Sequence, residues 1–463
     1  MKALCLLFAI LLFCFPLGAQ DTLIPDDTEL EFEDESFESE GLDETELVFE
    51  DENMGELLLE DETATTPFLS SLLEPIRFTL RHEVSYKTED PDGINNNRTS
   101  FRLEYSKFFL NNFFLQFDSK LSAFWSNDHR AEAENEEALF ETSSKEAFLQ
   151  ASFSDTSIKA GVQILIWGES DGGAITDVIS PRDYSELFFI SLEESRIGQP
   201  IVIIDQFSTI GDWSFFFIPD PGFNEYPEKG TAYYYDPFAG LAVYQDVTSD
   251  EELFEYGLRW KKTFGKSDVG IMAASLIDND YAYRLDGYTN SGKLLFTKIK
   301  QRYTMAGITF NYATGNFLLK GEIGKKLPKA FNNGAYQIIE KDVVDTALGL
   351  EYSPGGDYTL SLEAVNNHVI DWNDDIQTVP EDSNSLVVVW SKSFFNEDLS
   401  VNWMTSYSEP YTSYMHSLRT SYNWNDNITL FFDAFYPDIK KEESNMWVYR
   451  DQKQLVFKLQ FQF

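Results

Sequence analysis

The chain has 463 residues, enough for several soluble domains or for one large barrel. It is strongly acidic, with 78 Asp and Glu against 35 Lys and Arg and a formal net charge of -43, which argues against nucleic acid as a partner because phosphate binding requires a basic surface. Aromatic residues make up 16% of a chain whose mean hydropathy is negative, at -0.30. This combination is typical of a membrane barrel, which has an apolar outer face and a polar interior.

The first residues predict a secretory signal peptide at 1–19. The run MKALCLLFAILLFCFPLGAQ places Lys2 before a short apolar stretch and ends on small residues near Ala19. The alternative is a membrane anchor, for which the apolar stretch is short. Both cysteines, Cys5 and Cys14, lie in this segment, so we expect neither a disulfide nor thiol chemistry in the mature chain.

Residues 20–75 are acidic and contain no Lys or Arg. Three imperfect repeats run through them: ELEFEDES, ELVFEDEN and ELLLEDET. Such a segment repels itself and buries too little apolar surface to fold alone, which predicts a disordered periplasmic segment. The alternative is a peptide that docks on a partner's sheet edge or plugs the lumen, because each repeat has apolar residues spaced for one face of a short strand.

From Ile76 onward apolar and polar residues alternate with a period of two, in about eighteen segments separated by turn signals. Tight Asn-, Asp- and Gly-rich turns alternate with long connections, except for a short link at 409–413. This pattern predicts a transmembrane antiparallel β-barrel over 76–463, with about 18 strands, or 16 if one hairpin is misassigned. The predicted long connections are 88–97, 126–144, 168–199, 220–251, 277–301, 326–342, 367–385 and 437–453.

The last strand, QLVFKLQFQF, alternates apolar residues up to Phe463. We expect its apolar face to contact outer-membrane lipid and its free edge to pair with the first strand, because an open edge is not tolerated in hydrocarbon. A C-terminal strand of this kind resembles the signal that is recognised by the outer-membrane barrel assembly machinery. The resemblance implies that machinery as a partner and a Gram-negative-type cell outer membrane as the location.

If the apolar residues face lipid, their neighbours line the lumen, and basic residues outnumber acidic ones at these positions. One interpretation is a hydrated interior in which opposite charges pair across strands. The other is a polar pathway with a weak preference for anions. The predicted basic lumen-lining residues are Arg77, Arg81, Lys87, Arg102, Lys120, Lys159, Arg259, Lys261, Lys320, Arg419 and Lys458.

The third long connection, 167–199, differs from the others because its segment YSELFFISLEESR is apolar enough to predict a short helix, with Ser180 or Asp183 as its cap. An apolar helix on an outer loop would be exposed, so we expect the loop to fold into the lumen and narrow it. The alternative is an outer lid. The predicted constriction residues are Trp167, Gly168, Glu169, Asp171, Asp177, Arg182, Asp183 and Arg196.

The same region resembles a motif of poorly characterised porin-like outer-membrane proteins: Gly-x-Gln, then Trp-Gly-Glu-Ser, then Asp-x-x-x-Pro-x-Asp. The resemblance implies a barrel, and some of these proteins are associated with resistance-nodulation-division exporters of the hydrophobe or lipid type. Ser180 stands where that family more often has Asn. The match is carried by Gly161, Gln163, Trp167, Gly168, Glu169, Ser170, Asp177, Pro181 and Asp183.

Catalysis is not expected. Of the four histidines, the alternation points His82 and His416 outward and places His129 and His368 in separate loops. No metal motif, phosphate loop or cofactor motif is present in the sequence. The prediction is a porin-like outer-membrane channel for small polar solutes. The alternative is an accessory component of an export or lipid-trafficking complex that docks through the acidic segment.

Overall fold

The computed structural model describes residues 76–110, 112–170, 172–190, 194–246, 253–355, 357–376 and 379–463. The predicted signal peptide and the acidic repeats, residues 1–75, lie outside these ranges. The described residues form a closed barrel of 18 antiparallel strands with a small three-stranded sheet in its connections. The prediction of about 18 strands is confirmed, and the alternative of 16 is wrong.

The barrel strands follow one another around the ring in chain order. They are β1 (Ile76–Lys87), β2 (Gly93–Phe109), β3 (Phe113–Trp125), β4 (Ala138–Phe153), β5 (Thr156–Gln163), β6 (Gln199–Gln206), β7 (Asp212–Ile218), β9 (Glu255–Phe264), β10 (Ser267–Ile277), β13 (Arg302–Thr314), β14 (Phe317–Asn332), β15 (Ile338–Tyr352), β16 (Tyr358–Val369), β17 (Asp382–Phe394), β18 (Leu399–Glu409), β19 (Ser413–Asn425), β20 (Ile428–Ile439) and β21 (Gln454–Gln462).

The ring closes where β21 pairs with β1. Leu80 lies opposite Phe461 in this pair. Beyond the last paired residue, the backbone N–H of Phe78 donates to the carbonyl of Phe463 (2.8 Å), and the reverse bond is 2.9 Å. The terminal strand therefore satisfies its backbone groups on both edges, as a sheet in hydrocarbon requires.

The outer face of the barrel is apolar. Leu80, Phe457 and Leu459 alternate with buried inward residues and are more than a third exposed. Aromatic side chains gather near the tight turns, where the rings of Phe317 and Tyr352 lie 4.8 Å apart. Aromatic belts of this kind are typical where a membrane barrel meets the headgroup region. No helix in the described ranges is long and apolar enough to cross a membrane.

Tight turns occupy one end of the barrel and most long connections occupy the other, as the alternation predicts. Gly265 and Gly315 adopt positive φ angles of 64° and 58° in two of the tight turns, which glycine does without steric cost. At least half of two predicted long connections is strand, because β2 begins at Gly93 and the β14–β15 hairpin extends to Asn332 and Ile338.

The remaining elements belong to the long connections. Strand β8 (Ala242–Gln245) pairs in parallel with β12 (Leu294–Ile299), which pairs antiparallel with β11 (Ala282–Tyr288). Helix α1 (His129–Glu134) connects β3 to β4. Asp128 caps it by accepting a hydrogen bond from the backbone N–H of Arg130.

Candidate functional site: the barrel interior

The cross-strand register identifies the inner face of every strand, since residues directly opposite each other share a face. Glu363 on β16, for example, lies opposite Gly349 and Val387. The register places all the predicted lumen-lining basic residues on the inner face. Arg77, which lies opposite the inward-facing Glu104, is exposed, whereas Arg81, Lys120 and Lys458 are buried. The remaining seven are half-buried: Lys87, Arg102, Lys159, Arg259, Lys261, Lys320 and Arg419.

Sequence reasoning missed several inward charges. Arg98 and Lys326 belong to the basic set, and Asp345 and Asp205 belong to the acidic set, together with Glu141, Glu146 and Asp268. Acidic as well as basic residues are added, so the inner face carries charges of both signs in similar numbers. Many of these charges pair across strands: Arg102 with Asp118 (2.6 Å), Lys326 with Asp345 (2.5 Å) and Lys458 with Asp433 (2.9 Å).

The connection between β5 and β6 crosses the interior. We call its described residues, 164–170, 172–190 and 194–198, the inward loop. Its first half is held by Glu322 of β14, which accepts hydrogen bonds from the backbone N–H groups of Glu169, Ser170 (2.5 Å) and Thr176 (3.2 Å). Glu363 of β16 accepts from the N–H of Gly172 (2.6 Å) and from the Ser170 hydroxyl. Two wall carboxylates thus hold Glu169, Ser170, Gly172 and Thr176 in place by charge-assisted hydrogen bonds.

Glycines on the wall make room for this part of the loop. A Cβ atom at Gly307 of β13 would lie 2.7 Å from the Thr176 side chain, and one at Gly324 of β14 would lie 3.1 Å from the carbonyl of Ile175. On the loop itself, a Cβ at Gly172 would lie 2.7 Å from Glu363. Glycine within a strand commonly marks such a close backbone approach, and it is the sequence signal that could have located the docking site.

Apolar contacts also hold the inward loop against the wall. Trp167 is buried against Phe216, with ring centroids 5.0 Å apart and planes at 73°. It belongs to a cluster that includes Ile179 of the loop and Met272 and Met305 of the wall. The outer-lid alternative does not fit this arrangement, because every wall residue in the cluster lies on the inner face of its strand.

The predicted constriction charges have mostly internal partners. Asp177 is buried and pairs with Arg182 (2.7 Å) and Arg196 (2.9 Å), which form a β-bridge with each other. Asp183 is buried and accepts from the N–H of Ser185. These residues brace the loop and do not face open space.

Three further predicted constriction residues have other surroundings. Glu169 reaches Arg259 of the wall (3.5 Å). Gly168 packs closely on Asp177. Asp171 lies outside the described residues. The predicted helix at 184–196 is wrong for the described residues of that range, which form only a 3-10 helix at Leu187–Phe189. Side chains of this segment are buried singly at different places in the interior, and they do not form the continuous apolar face of a helix.

The second half of the loop reaches the opposite wall. Glu186 forms an ion pair with Arg98 of β2 and lies 3.5 Å from Nε2 of His129. Arg98 also pairs with Asp128 (2.9 Å). Burial alone would raise the pKa of Glu186, but the charge of Arg98 and the hydrogen bonds from His129 and Arg98 outweigh it and hold that pKa well below its usual range.

A second long connection joins this cluster. The N–H of Ala232 donates to Nδ1 of His129 (3.3 Å), and the buried hydroxyl of Tyr233 accepts from Asn95 and Gln454 (2.7 Å each). The inward loop is therefore fixed at both ends, to β14–β16 on one side and to β2 and α1 on the other. Sequence reasoning missed this cluster because its members come from five separate segments.

Beside the inward loop, the inner face of β17–β19 remains accessible. It consists largely of small hydroxyl side chains, and Arg419 is its only charged residue among those described. Most of these side chains are half-buried, whereas Thr309, Glu322 and Glu363 under the loop are 1%, 5% and 4% exposed. We call the following residues the serine wall: Ser385, Ser391, Ser393, Ser400, Asn402, Ser406, Ser408, Ser413, Ser417, Arg419 and Ser421.

The histidines lie apart from this wall. His82 and His416 face outward, as the alternation predicts, whereas His368 lies on β16 and not in a loop. His368 contacts Asp382 (3.0 Å), and together with Glu381 these groups bring potential metal-ligand atoms within 4.8 Å of one another. Glu381 and Asp382 are exposed and His368 is half-buried, and the three lie apart from the inner face.

No family model matches the chain, and no curated protein matches it. Among solved structures, the chain is similar to OmpF of Salmonella typhi in complex with daunomycin (9% identity, TM-score 0.44, covering 84% of this chain and 97% of that one). It is also similar to OccK2 (OpdF) of Pseudomonas aeruginosa in complex with glucuronate (11%, 0.48, 84% and 97%) and to OccAB3 of Acinetobacter baumannii (8%, 0.48, 84% and 98%). What this chain binds or transports follows from none of these similarities.

Proposed function

We propose that the protein is a porin-like channel of the cell outer membrane that passes small polar solutes between the inward loop and the serine wall. The observation that carries this proposal is the contrast between the two halves of the inner face. The residues beneath the loop are sealed by buried contacts, while the serine wall, except for Ser413, Ser417 and Ser421, stays partly accessible although it points into the barrel. Inward side chains that are accessible to water imply water-filled space beside them.

The chemistry of the wall suits diffusion. A serine hydroxyl both donates and accepts hydrogen bonds, so it replaces water around a passing solute at little cost. The inward loop acts as the constriction, because it is bonded to β14 on one side of the interior and to β2 on the other. The arrangement is that of a channel, and we assign it no catalytic role.

Cysteine accessibility tests the pathway directly. The only native cysteines are Cys5 and Cys14, both in the predicted signal peptide, so a single introduced thiol can be labelled selectively. Ser406→Cys places a thiol on the serine wall, and Thr405→Cys places one on the lipid-facing side of the same strand. In planar bilayers, we expect a bulky methanethiosulfonate reagent to reduce the conductance of S406C and to leave that of T405C unchanged. Conductance of both variants that is insensitive to the reagent would refute this pathway, and wild-type protein that conducts no ions would refute the channel itself.

Three finer features belong to the same proposal. Export through the signal peptide at 1–19 and assembly through the strand that ends at Phe463 are supported by the sequence patterns described above. An association with an inner-membrane exporter through residues 20–75 is supported only by the acidic repeats and by the resemblance around Trp167. Deletion of residues 21–70 tests it: an exporter that co-purifies with the full-length protein should be lost from the truncated one.

A further inference from the structure

The serine wall is not uniform along its length. The serine wall surrounds a middle row of the inner face of β17–β19 that consists of Val389, Met404 and Ser417, with Phe435 next on β20. Val389 and Met404 are half-buried although they face the interior. An apolar patch that stays accessible inside a polar conduit is available for contact with an apolar part of a solute.

The next row, two residues nearer the tight turns, is polar and carries the positive charge. It consists of Ser391, Asn402 and Arg419. The Asn402 amide donates to the Ser391 hydroxyl (2.8 Å), which leaves the hydroxyl hydrogen of Ser391 able to donate to another group. The Arg419 guanidinium lies 5.6 Å from the ring centroid of Phe435, so the charge borders the apolar row.

Nearby carboxylates are engaged elsewhere. Asp433, opposite Arg419 on β20, is buried and bonded to Lys458 (2.9 Å). Glu322 and Glu363 are buried and accept hydrogen bonds from the inward loop. The accessible surface of the serine wall therefore presents one cation, flanked by hydroxyl and amide groups, next to an apolar strip.

We propose that the solutes best accommodated here are small carboxylates with an apolar body, a refinement that rests on the proposed channel function. The carboxylate pairs with Arg419 and accepts a hydrogen bond from Ser391, because a guanidinium and a hydroxyl are both suited to anionic oxygens. The apolar body lies against Val389 and Met404. A neutral polyol would use the hydroxyls alone, and a cation would be repelled by Arg419.

Bi-ionic reversal potentials with the purified full-length protein test this inference, with potassium benzoate, gluconate and chloride as probes. We expect benzoate to permeate more readily than gluconate through the wild type. Arg419→Gln should lower the permeability of benzoate relative to potassium by roughly threefold, the effect of one half-exposed charge pair. Met404→Gln should abolish the preference for benzoate over gluconate and leave chloride permeability unchanged.

The control is Lys392→Gln, which removes a positive charge on the lipid-facing side of β17 and should behave as the wild type. Equal permeation of benzoate and gluconate in the wild type, or wild-type potentials in R419Q, would overturn the inference while the channel function stands. Absence of ion current in every salt would instead refute the channel function itself.

Discussion

The carboxylate of Glu322, on the inner face of β14, accepts hydrogen bonds from both the backbone N–H (3.2 Å) and the hydroxyl (2.9 Å) of Thr176. The two residues are separated by 146 positions in the chain, so this contact fixes where the inward loop meets the wall. Glu322 also accepts from the N–H of Ser170 (2.5 Å). Since one carboxylate satisfies several backbone donors, the position of the loop depends strongly on its charge.

We therefore predict that Glu322→Gln loosens the inward loop. The amide keeps one acceptor oxygen but loses the negative charge. The binding of the loop to the wall is then weaker by about 2 kcal/mol, which raises the population of the displaced loop roughly thirtyfold. Single-channel recordings should show larger and noisier openings. Glu351→Gln, on the neighbouring strand β15 and paired with Lys320 (3.9 Å), is the matched control and should conduct as the wild type. Equal noise in both variants would contradict the assigned role of Glu322.

A second prediction concerns Gly307, a glycine of the wall that the inward loop approaches closely. Gly307→Ala would bring a methyl group within 2.7 Å of the Thr176 side chain, whereas Gly349→Ala on β15 would meet atoms no nearer than 3.4 Å. Both substitutions lie on the inner face of a strand and add the same volume. We expect G307A to displace the loop and raise conductance, and G349A to leave conductance unchanged. If G307A and G349A conduct alike, Gly307 is not required for the loop to dock.

The barrel could be predicted from the sequence, because alternation with a period of two is a local property and is repeated in each strand. The contacts inside the barrel were harder to predict from the sequence. Arg98 directly follows the predicted connection 88–97 and lies in the run GINNNRTS, which has no clear alternation to show that its side chain points inward. The anchoring of the inward loop depends on contacts between residues far apart in the chain, such as Ser170 with Glu363.

The serine wall could have been found in the sequence. The strand DSNSLVVVWSKSF has Ser383, Ser385, Ser391 and Ser393 at alternate positions, and the register places them on one face. A search for charged lumen residues passes over them because hydroxyl groups carry no charge. The alternation predicts that Arg419 faces the lumen, but its position among these serines depends on the pairing of three strands.

A third prediction concerns pH. Because the pKa of Glu186 in the folded protein is held below its ordinary value of 4.5, its ionised form contributes stability that is fully present above that value. The contribution is lost as the pH falls through the depressed pKa of the folded state. The difference in melting temperature between the wild type and Glu186→Gln in detergent should thus be constant from pH 8 to pH 5 and should shrink in more acidic solution. A difference that grows on acidification would show that the Arg98–Glu186 pair does not stabilise the fold.

The last prediction separates closure of the barrel from its recognition during assembly. Deletion of residues 454–463 removes β21 and leaves β1 and β20 with open edges, so we expect no heat-modifiable barrel on semi-native gels. Phe463→Ala keeps the backbone bonds to Phe78 and loses only a ring contact at 5.7 Å. Its refolding into detergent should match the wild type, with a cost below about 1 kcal/mol. If the terminal aromatic residue is the assembly signal, F463A should still reach the outer membrane of cells in reduced amounts. Normal amounts in cells would mean that the ring serves only packing.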